Sequence, residues 1–296
     1  MFRKSAFSIR VAVAAVTVVL AALTPARANL SDKLGQILQE AQRAEALRLY
    51  ERAVELYRKA LQEGLGSDGE RREMLKLRAV AYERSNELAK AEADLTAVLQ
   101  MKPVEAMAYA DRGYFFLRHG RYPDALSDFV AGTRIDPGNP LFPFAAGRVL
   151  VALKNDIGAV ALYNDAIRLN PKIGTPYLAR AESYIRMKMY REAIADYDRA
   201  MKLKLTGAND WFFLHIGRGY AHLAMESYDR AEPDFDAALA TAPNDFQTLV
   251  WRGYARERLG RRDLAIEDYE RAYRITPRSD WVRASLNRLR SYAAQP

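Results

Sequence analysis

Residues 106–139 read AMAYADRGYFFLRHGRYPDALSDFVAGTRIDPGN. Two amphipathic helical stretches fit into this segment, with a break at His119-Gly120 and a proline at its end. The same punctuation continues in both directions. Pro103, Pro137 and Pro171 are spaced by 34 residues, as are Pro243 and Pro277. The interval from Pro171 to Pro243 is 72, which holds one further unit plus a four-residue insertion. An alanine precedes each of these prolines by twelve residues, in a series that extends backwards as Ala53, Ala91, Ala125, Ala159, Ala193, Ala231 and Ala265.

Four residues after each alanine stands a bulky apolar column: Tyr57, Leu95, Phe129, Tyr163, Tyr197, Phe235, Tyr269. Three further on comes a small column, Ala60, Val98, Gly132, Ala166, Ala200, Ala238, Ala272. Steps of four and three keep all three columns on one helical face. A second small column, Ala41, Ala79, Gly113, Gly147, Ala181, Gly219, Gly253, lies twelve residues before the alanines and permits close approach of an antiparallel helix. With Gly113, Tyr122, Ala125, Phe129 and Pro137 in place, the chain resembles the tetratricopeptide repeat family. The resemblance spans seven units, 34–67, 72–105, 106–139, 140–173, 174–207, 212–245 and 246–279. It implies an all-α, right-handed α-solenoid over 34–279, and residues 280–292 read as a capping helix that shields the last apolar face. Soft joints are expected near 62–71, where Gly64, Gly66 and Gly69 cluster, and near 205–211, around Gly207.

One departure from the family pattern is informative. The position before the small column reads Glu40, Arg78, Arg112, Ala146, Arg180, Arg218, Arg252, often Arg where leucine is usual. Sixteen residues later the column reads Leu56, Asp94, Asp128, Leu162, Asp196, Asp234, Asp268. Arg and Asp occur together in five units and are both missing from two. Pairing within each unit leaves no Arg or Asp of the two columns unmatched, whereas offset pairing strands Asp128 and Arg180. Five intra-repeat Arg–Asp bridges are therefore expected, fixing geometry more than adding stability.

The N-terminus is of another kind. Arg3, Lys4 and Arg10 precede a 13-residue apolar run, Val11–Leu23, which ends near Ala26-Arg27-Ala28. This reads as a secretory signal peptide over 1–28, the run being shorter than the about 20 residues of a membrane span. Its alanine/valine style is bacterial, which places the expected mature chain, free of the leader, in a periplasm. Removal of 1–28 takes four cations and no acids, so the net charge falls from +8 to +4. Residues 251–290 alone carry 11 Arg against six acids. The basic balance is thus local, and it gives no stripe for nucleic acid.

No chemistry-bearing constellation emerges. The chain has no Cys, which excludes a disulfide framework, a thiolate metal site and a catalytic thiol. It holds no phosphate-cradling glycine loop and no nucleophile elbow. His215 and His222 stand two turns apart on one helix but occupy core columns, and no third metal ligand is near in sequence. Asp196/Asp198 and Asp234/Asp236 point to different helix faces, and His119 is expected to be solvated at its turn. The reading is of a non-enzyme with no cofactor and no metal.

The first helices of stacked hairpins would line a groove, and helical spacing from the core names its candidates. Arg84, Arg118, Arg186 and Arg258 share a column at the lip, with Arg148 compensating in the unit where that column is Ala152. Tyr114, Phe144, Glu182, Tyr220, Trp251 and Tyr254 lie between them. Rings interleaved with guanidinium groups suit an extended protein or peptide segment carrying acids. The alternative is that the rings pack on neighbouring helices and the arginines are merely wet. The resemblance implies no capture of chaperone C-termini, because Lys76 is matched by Val80, Asp111 and Ala145 rather than by the clamp residues of that subgroup. Two functions fit: a periplasmic adaptor that displays a groove, or a structural subunit of a cell-envelope secretion or surface-polymer export assembly.

Overall fold

A computed structural model describes residues 25–63, 67–203, 205 and 209–293. The leader up to residue 24 lies outside the described residues, as do 64–66 and most of 204–208, the centres of the two expected joints. All regular structure among the described residues is helical. The chain divides into two compact units, Met1–Ile135 and Asp136–Pro296.

The first unit consists of three antiparallel hairpins: α1 (Pro25–Ala46) with α2 (Tyr50–Gln62), α3 (Asp68–Arg84) with α4 (Leu88–Gln100), and α5 (Ala106–Arg118) with α6 (Tyr122–Ile135). The second consists of four: α7 (Leu141–Ala152) with α8 (Asp156–Leu169), α9 (Thr175–Arg186) with α10 (Tyr190–Met201), α11 (Asp210–Ala224) with α12 (Tyr228–Thr241), and α13 (Phe246–Arg258) with α14 (Arg262–Ile275). A last helix, α15 (Asp280–Ala293), lays Val282, Leu286 and Leu289 against Tyr269, Ala272 and Leu249 of the final hairpin. Within each unit, the second helix of one hairpin packs on the first helix of the next.

The hairpin turns keep the period of the sequence. Arg48, Asn86, Gly120, Lys154, Lys188, Glu226 and Gly260 have positive φ. In each turn the following N–H donates to a carbonyl five residues back, as in Asn155 N to Leu150 O and Met189 N to Tyr184 O, 2.8 Å each. This is a helix-terminating left-handed cap. Only two of the seven positions are glycine, so the other five hold side chains in a region that costs roughly 1–2 kcal/mol each. Tertiary packing imposes the turn.

Packing between the two helices of a hairpin is set by the small and bulky columns. A Cβ added at Gly113 would lie 2.8 Å from the Phe129 ring, and at Gly147 2.5 Å from Tyr163. Gly219 against Phe235 and Gly253 against Tyr269 repeat the arrangement at 2.8 and 2.7 Å. Contact this close leaves no room for even one added methyl without a shift of the ring.

All five expected Arg–Asp bridges form, each bidentate. Nε and Nη2 of Arg78 donate to Asp94 at 2.7 and 2.6 Å, and those of Arg112 to Asp128 at 2.9 and 2.8 Å. Arg180–Asp196, Arg218–Asp234 and Arg252–Asp268 have the same geometry, and all five aspartates are buried. The remaining Nη1 does something the sequence columns did not show. In four of the five it crosses to the preceding hairpin, at the position two residues after that hairpin's Asp column. Arg112 Nη1 donates to Thr96 and Arg180 Nη1 to Asn164. Arg218 Nη1 donates to Asp198, and Arg252 Nη1 to Asp236, at 2.6 Å each. The second aspartate of each i, i+2 pair therefore belongs to the next repeat. One guanidinium closes its own hairpin and fastens it to its neighbour.

Asp196→Ala removes both carboxylate acceptors from a largely desolvated guanidinium and should lower stability by about 3–5 kcal/mol. The double variant Arg180→Ala/Asp196→Leu, which copies the Ala146/Leu162 pair of repeat 140–173, should recover most of that loss in thermal and denaturant melts. A double variant as unstable as Asp196→Ala would assign the loss to packing instead of the stranded charge.

Candidate functional site

The first helices of the two units carry the groove candidates, and their surroundings differ from what spacing alone implied. In the first unit Arg118 donates to Glu83 through Nε and Nη2 at 2.8 and 2.7 Å. His119 joins the same carboxylate at 2.9 Å. Its side chain is only 23% exposed, so the expected solvated turn residue is in fact a structural partner. Arg84 stands over the Tyr50 ring, 5.7 Å from its centroid. Lys76 pairs with Asp111 at 2.9 Å, and Tyr114 meets Phe129 edge-on at 5.1 Å.

In the second unit Arg186 pairs with Asp156 and donates to Ser183 Oγ. Arg258 lies over the Tyr228 ring at 4.9 Å and donates to the Tyr254 hydroxyl at 2.9 Å. The lip arginines thus share a rule: Arg84, Arg186 and Arg258 each reach the residue that opens the second helix of the preceding hairpin, namely Tyr50, Asp156 and Tyr228. Arg118 finds Leu88 at that position and turns to Glu83. They fasten the stack, and Arg118 and Arg186 already hold carboxylates. Arg148 is different. It is exposed and forms no ion pair with any described residue.

The aromatic candidates of the second unit come together. Tyr220 and Trp251 have ring centroids 4.9 Å apart, and Trp251 also contacts Phe235 at 6.0 Å. Tyr190 meets Tyr220 edge-on at 6.3 Å, extending the seam across α10, α11 and α13. Tyr228 and Tyr254 form a second edge-on pair at 6.1 Å. The seam rings Tyr190, Tyr220 and Trp251 stay partly exposed while packed on one another. Phe144 packs on Tyr163 at 5.9 Å. Tyr190 and Tyr228 were not among the sequence candidates. Their signal was present as the column Tyr50, Tyr122, Tyr190, Tyr228, the first residue of four second helices.

The histidines are absorbed by the fold. His215 Nδ1 lies 2.8 Å from Asp234, and its ring stacks on Trp211. Burial works against the charge on Asp234, but hydrogen bonds from His215 and Arg218 outweigh it and hold the carboxyl below its ordinary value. Burial pushes His222 down. No group of three His, Cys, Asp or Glu that could hold a metal is present among the described residues. No helix among them is long and apolar enough to cross a membrane.

Glu83 behaves like Asp234: burial opposes its charge, yet Arg118 and His119 hold its carboxyl below the usual range. A depressed carboxyl stabilises the fold above its ordinary titration, and this contribution is lost as the pH falls through the folded value. Glu83→Gln should therefore be about 1–2 kcal/mol less stable than the native chain near neutrality. The gap should close on acidification in melts recorded down to the carboxylate range. A gap independent of pH would contradict the assignment.

Models of the family described as "Tetratricopeptide repeat" match residues 77–140 and 216–280 and, separately, 175–206, together more than half of the chain. Among sequence relatives, "Dynein axonemal assembly factor 4" of Mus musculus is 37% identical over 109 residues, 36% of this chain and 26% of that protein. "Protein unc-45 homolog B" of Xenopus tropicalis is 29% identical over 106 residues, 36% of this chain and 11% of that protein. The match to the curated relatives thus spans about a quarter of their length or less. Similar solved structures include a tetratricopeptide repeat protein from Parabacteroides merdae (TM-score 0.57, 16% identity, 87% of this chain and 99% of that one). The C-terminal part of a repeat protein from Cytophaga hutchinsonii is similar too (TM-score 0.61, 15% identity, 84% and 99%). So is YrrB, described as a repeat protein with an unusual peptide-binding site (TM-score 0.56, 17% identity, 64% and 96%). At these identities the likeness is one of fold. Repeat period, hairpin architecture and family match agree: the chain belongs to the tetratricopeptide repeat family.

Proposed function

We propose that this protein is an exported, non-catalytic scaffold that captures an extended segment of a partner protein on the first-helix face of residues 136–296. The seam Tyr190–Tyr220–Trp251 carries this reading, because it offers packed, partly exposed rings on a backbone fastened by the Arg218 and Arg252 clasps. Large rigid rings on a fixed face give contact area at little entropic cost, the usual character of a binding hot spot. The peptide-binding site ascribed to YrrB, a protein of similar fold, is in keeping with the reading. Export to a periplasm rests on the leader sequence, Arg3 to Ala28. The alternative of a structural subunit would use other surfaces, such as the half-exposed Trp281 on α15.

The experiment is cross-linking in intact cells, followed by recovery of the mature protein and its partner. The recovered chain should begin at Asn29 and come from the periplasmic fraction. The double variant Tyr220→Ala/Trp251→Ala should lose its partner by about thirtyfold or more, a hot-spot effect of at least 2 kcal/mol. Trp281→Ala should retain it. Loss of the partner with Trp281→Ala alone would favour the structural subunit, and an uncleaved cytosolic chain would overturn export.

A further inference from the structure

Glu182 sits near the middle of the first-helix face of the second unit, on α9. The groups around it come from every neighbouring helix. Arg148 on α7, Arg186 on α9 itself and Asp210 on α11 lie within electrostatic reach of its carboxylate. Tyr163 on α8 and Tyr197 on α10 feel its charge from beneath, and Asp156 on α8 acts on Tyr163 as well. Yet the Glu182 carboxylate makes no hydrogen bond or ion pair with any described residue, although burial pushes it up from its ordinary range. Arg186, one helical turn further on, is turned to Asp156 and Ser183, and Arg180 is held by Asp196 and Asn164.

The two tyrosines are unusual within this chain. Their column contains two other tyrosines, and each of those spends its hydroxyl on a glutamate twelve residues earlier. Tyr57 donates to Glu45 at 3.3 Å, and Tyr269 to Glu257 at 3.2 Å. The corresponding positions before Tyr163 and Tyr197 are Val151 and Ile185, so no such acceptor exists. Both rings are 1% exposed, and neither hydroxyl bonds to a described residue. Gly217 is required beside Tyr197, since a Cβ there would collide with its hydroxyl. Three polar groups, one carboxylate and two hydroxyls, are thus left unspent in one region of the face.

We propose that this cluster is a subsite for the ammonium group of a lysine side chain on the captured peptide. A lysine ammonium has three N–H donors and no acceptor, which suits an unpaired, acceptor-only carboxylate with hydroxyl oxygens in its neighbourhood. The partly exposed ring of Phe144 supplies an apolar surface for the aliphatic stem. Arg148, at the margin, is free to pair with an acid elsewhere on the same peptide. The arginine-rich lip suggested an acidic partner, but Arg118 and Arg186 already hold carboxylates. At Glu182 itself the unmet demand is for a hydrogen-bonded positive charge. The inference rests on the groove reading above and specifies the chemistry of one of its positions.

The test uses the mature chain and a pooled library of randomised, N-terminally acetylated peptides, so that only side chains offer ammonium groups. Enriched peptides should share a lysine at one fixed position. In the best binder, replacing that lysine by Nε-acetyllysine should weaken binding about tenfold or more to the native protein and scarcely at all to Glu182→Gln. Glu182→Gln should melt at the same temperature as the native chain or higher, because a desolvated carboxylate opposes folding. Enrichment of acids, indifference to lysine, or discrimination that survives Glu182→Gln would overturn the proposal. If enriched peptides require Trp251 but ignore lysine, the groove reading stands and this subsite falls. If no peptide is enriched, both fall.

Discussion

A guanidinium carries five N–H donors in a rigid plane, and burying it obliges the fold to supply acceptors on more than one edge. That constraint organises this chain. An aspartate sixteen residues later satisfies the Nε/Nη2 edge of each clasp arginine, and in four of five clasps the preceding hairpin satisfies Nη1. The first bond closes a hairpin; the second sets its rotation against its neighbour. Hydrophobic packing of small against bulky columns provides most of the cohesion, but it is non-directional. The planar fork adds direction.

Directional fastening has a consequence for the exposed face. Rings such as Tyr220 and Trp251 belong to different hairpins, so their 4.9 Å separation depends on the registry of those hairpins. Arg218 and Arg252 hold that registry through Asp198 and Asp236, and Arg256 adds hydrogen bonds to Glu232 and Asp268. A face built this way is preorganised, and a ligand that binds it does not have to order it. The structural ion pairs and the proposed binding surface are therefore parts of one device, although no clasp residue need touch a ligand.

Much of this was legible in the chain itself. The 34-residue period, the helical face of each column and the five clasps follow from spacing and from the joint presence of Arg and Asp. What spacing could not show was the neighbour across a repeat boundary. Asp198 and Asp236 looked idle because they point away from their own hairpin's core; the next repeat's arginine takes them. The lip arginines looked free because their partners, Tyr50, Asp156 and Tyr228, lie on the preceding hairpin, about 30 residues away in sequence. His119 looked solvated because a turn is usually wet, whereas Glu83, 36 residues away, comes within hydrogen-bonding distance of it. Periodicity specifies which way a side chain points, and stacking geometry specifies what it meets.

The repeat also supplies its own standard of comparison. Where a position serves only the stack, the chain reuses a few solutions: tyrosine hydroxyl to glutamate in two hairpins, lip arginine to the residue opening a second helix in three, clasp arginine to aspartate in five. Repeats 140–173 and 174–207 break that internal code. The first has Ala146 and Leu162 in place of a clasp, both leave a tyrosine hydroxyl without its glutamate, and Glu182, near both hydroxyls, has no hydrogen-bond or ion-pair partner among the described residues. Natural sequences violate their own local rules chiefly where something other than folding is being served. Burial outweighs the pull of Arg186 and Arg148 on this carboxylate, so the structural pattern alone gives no reason for a glutamate at that point. The proposed lysine of a bound peptide would supply one.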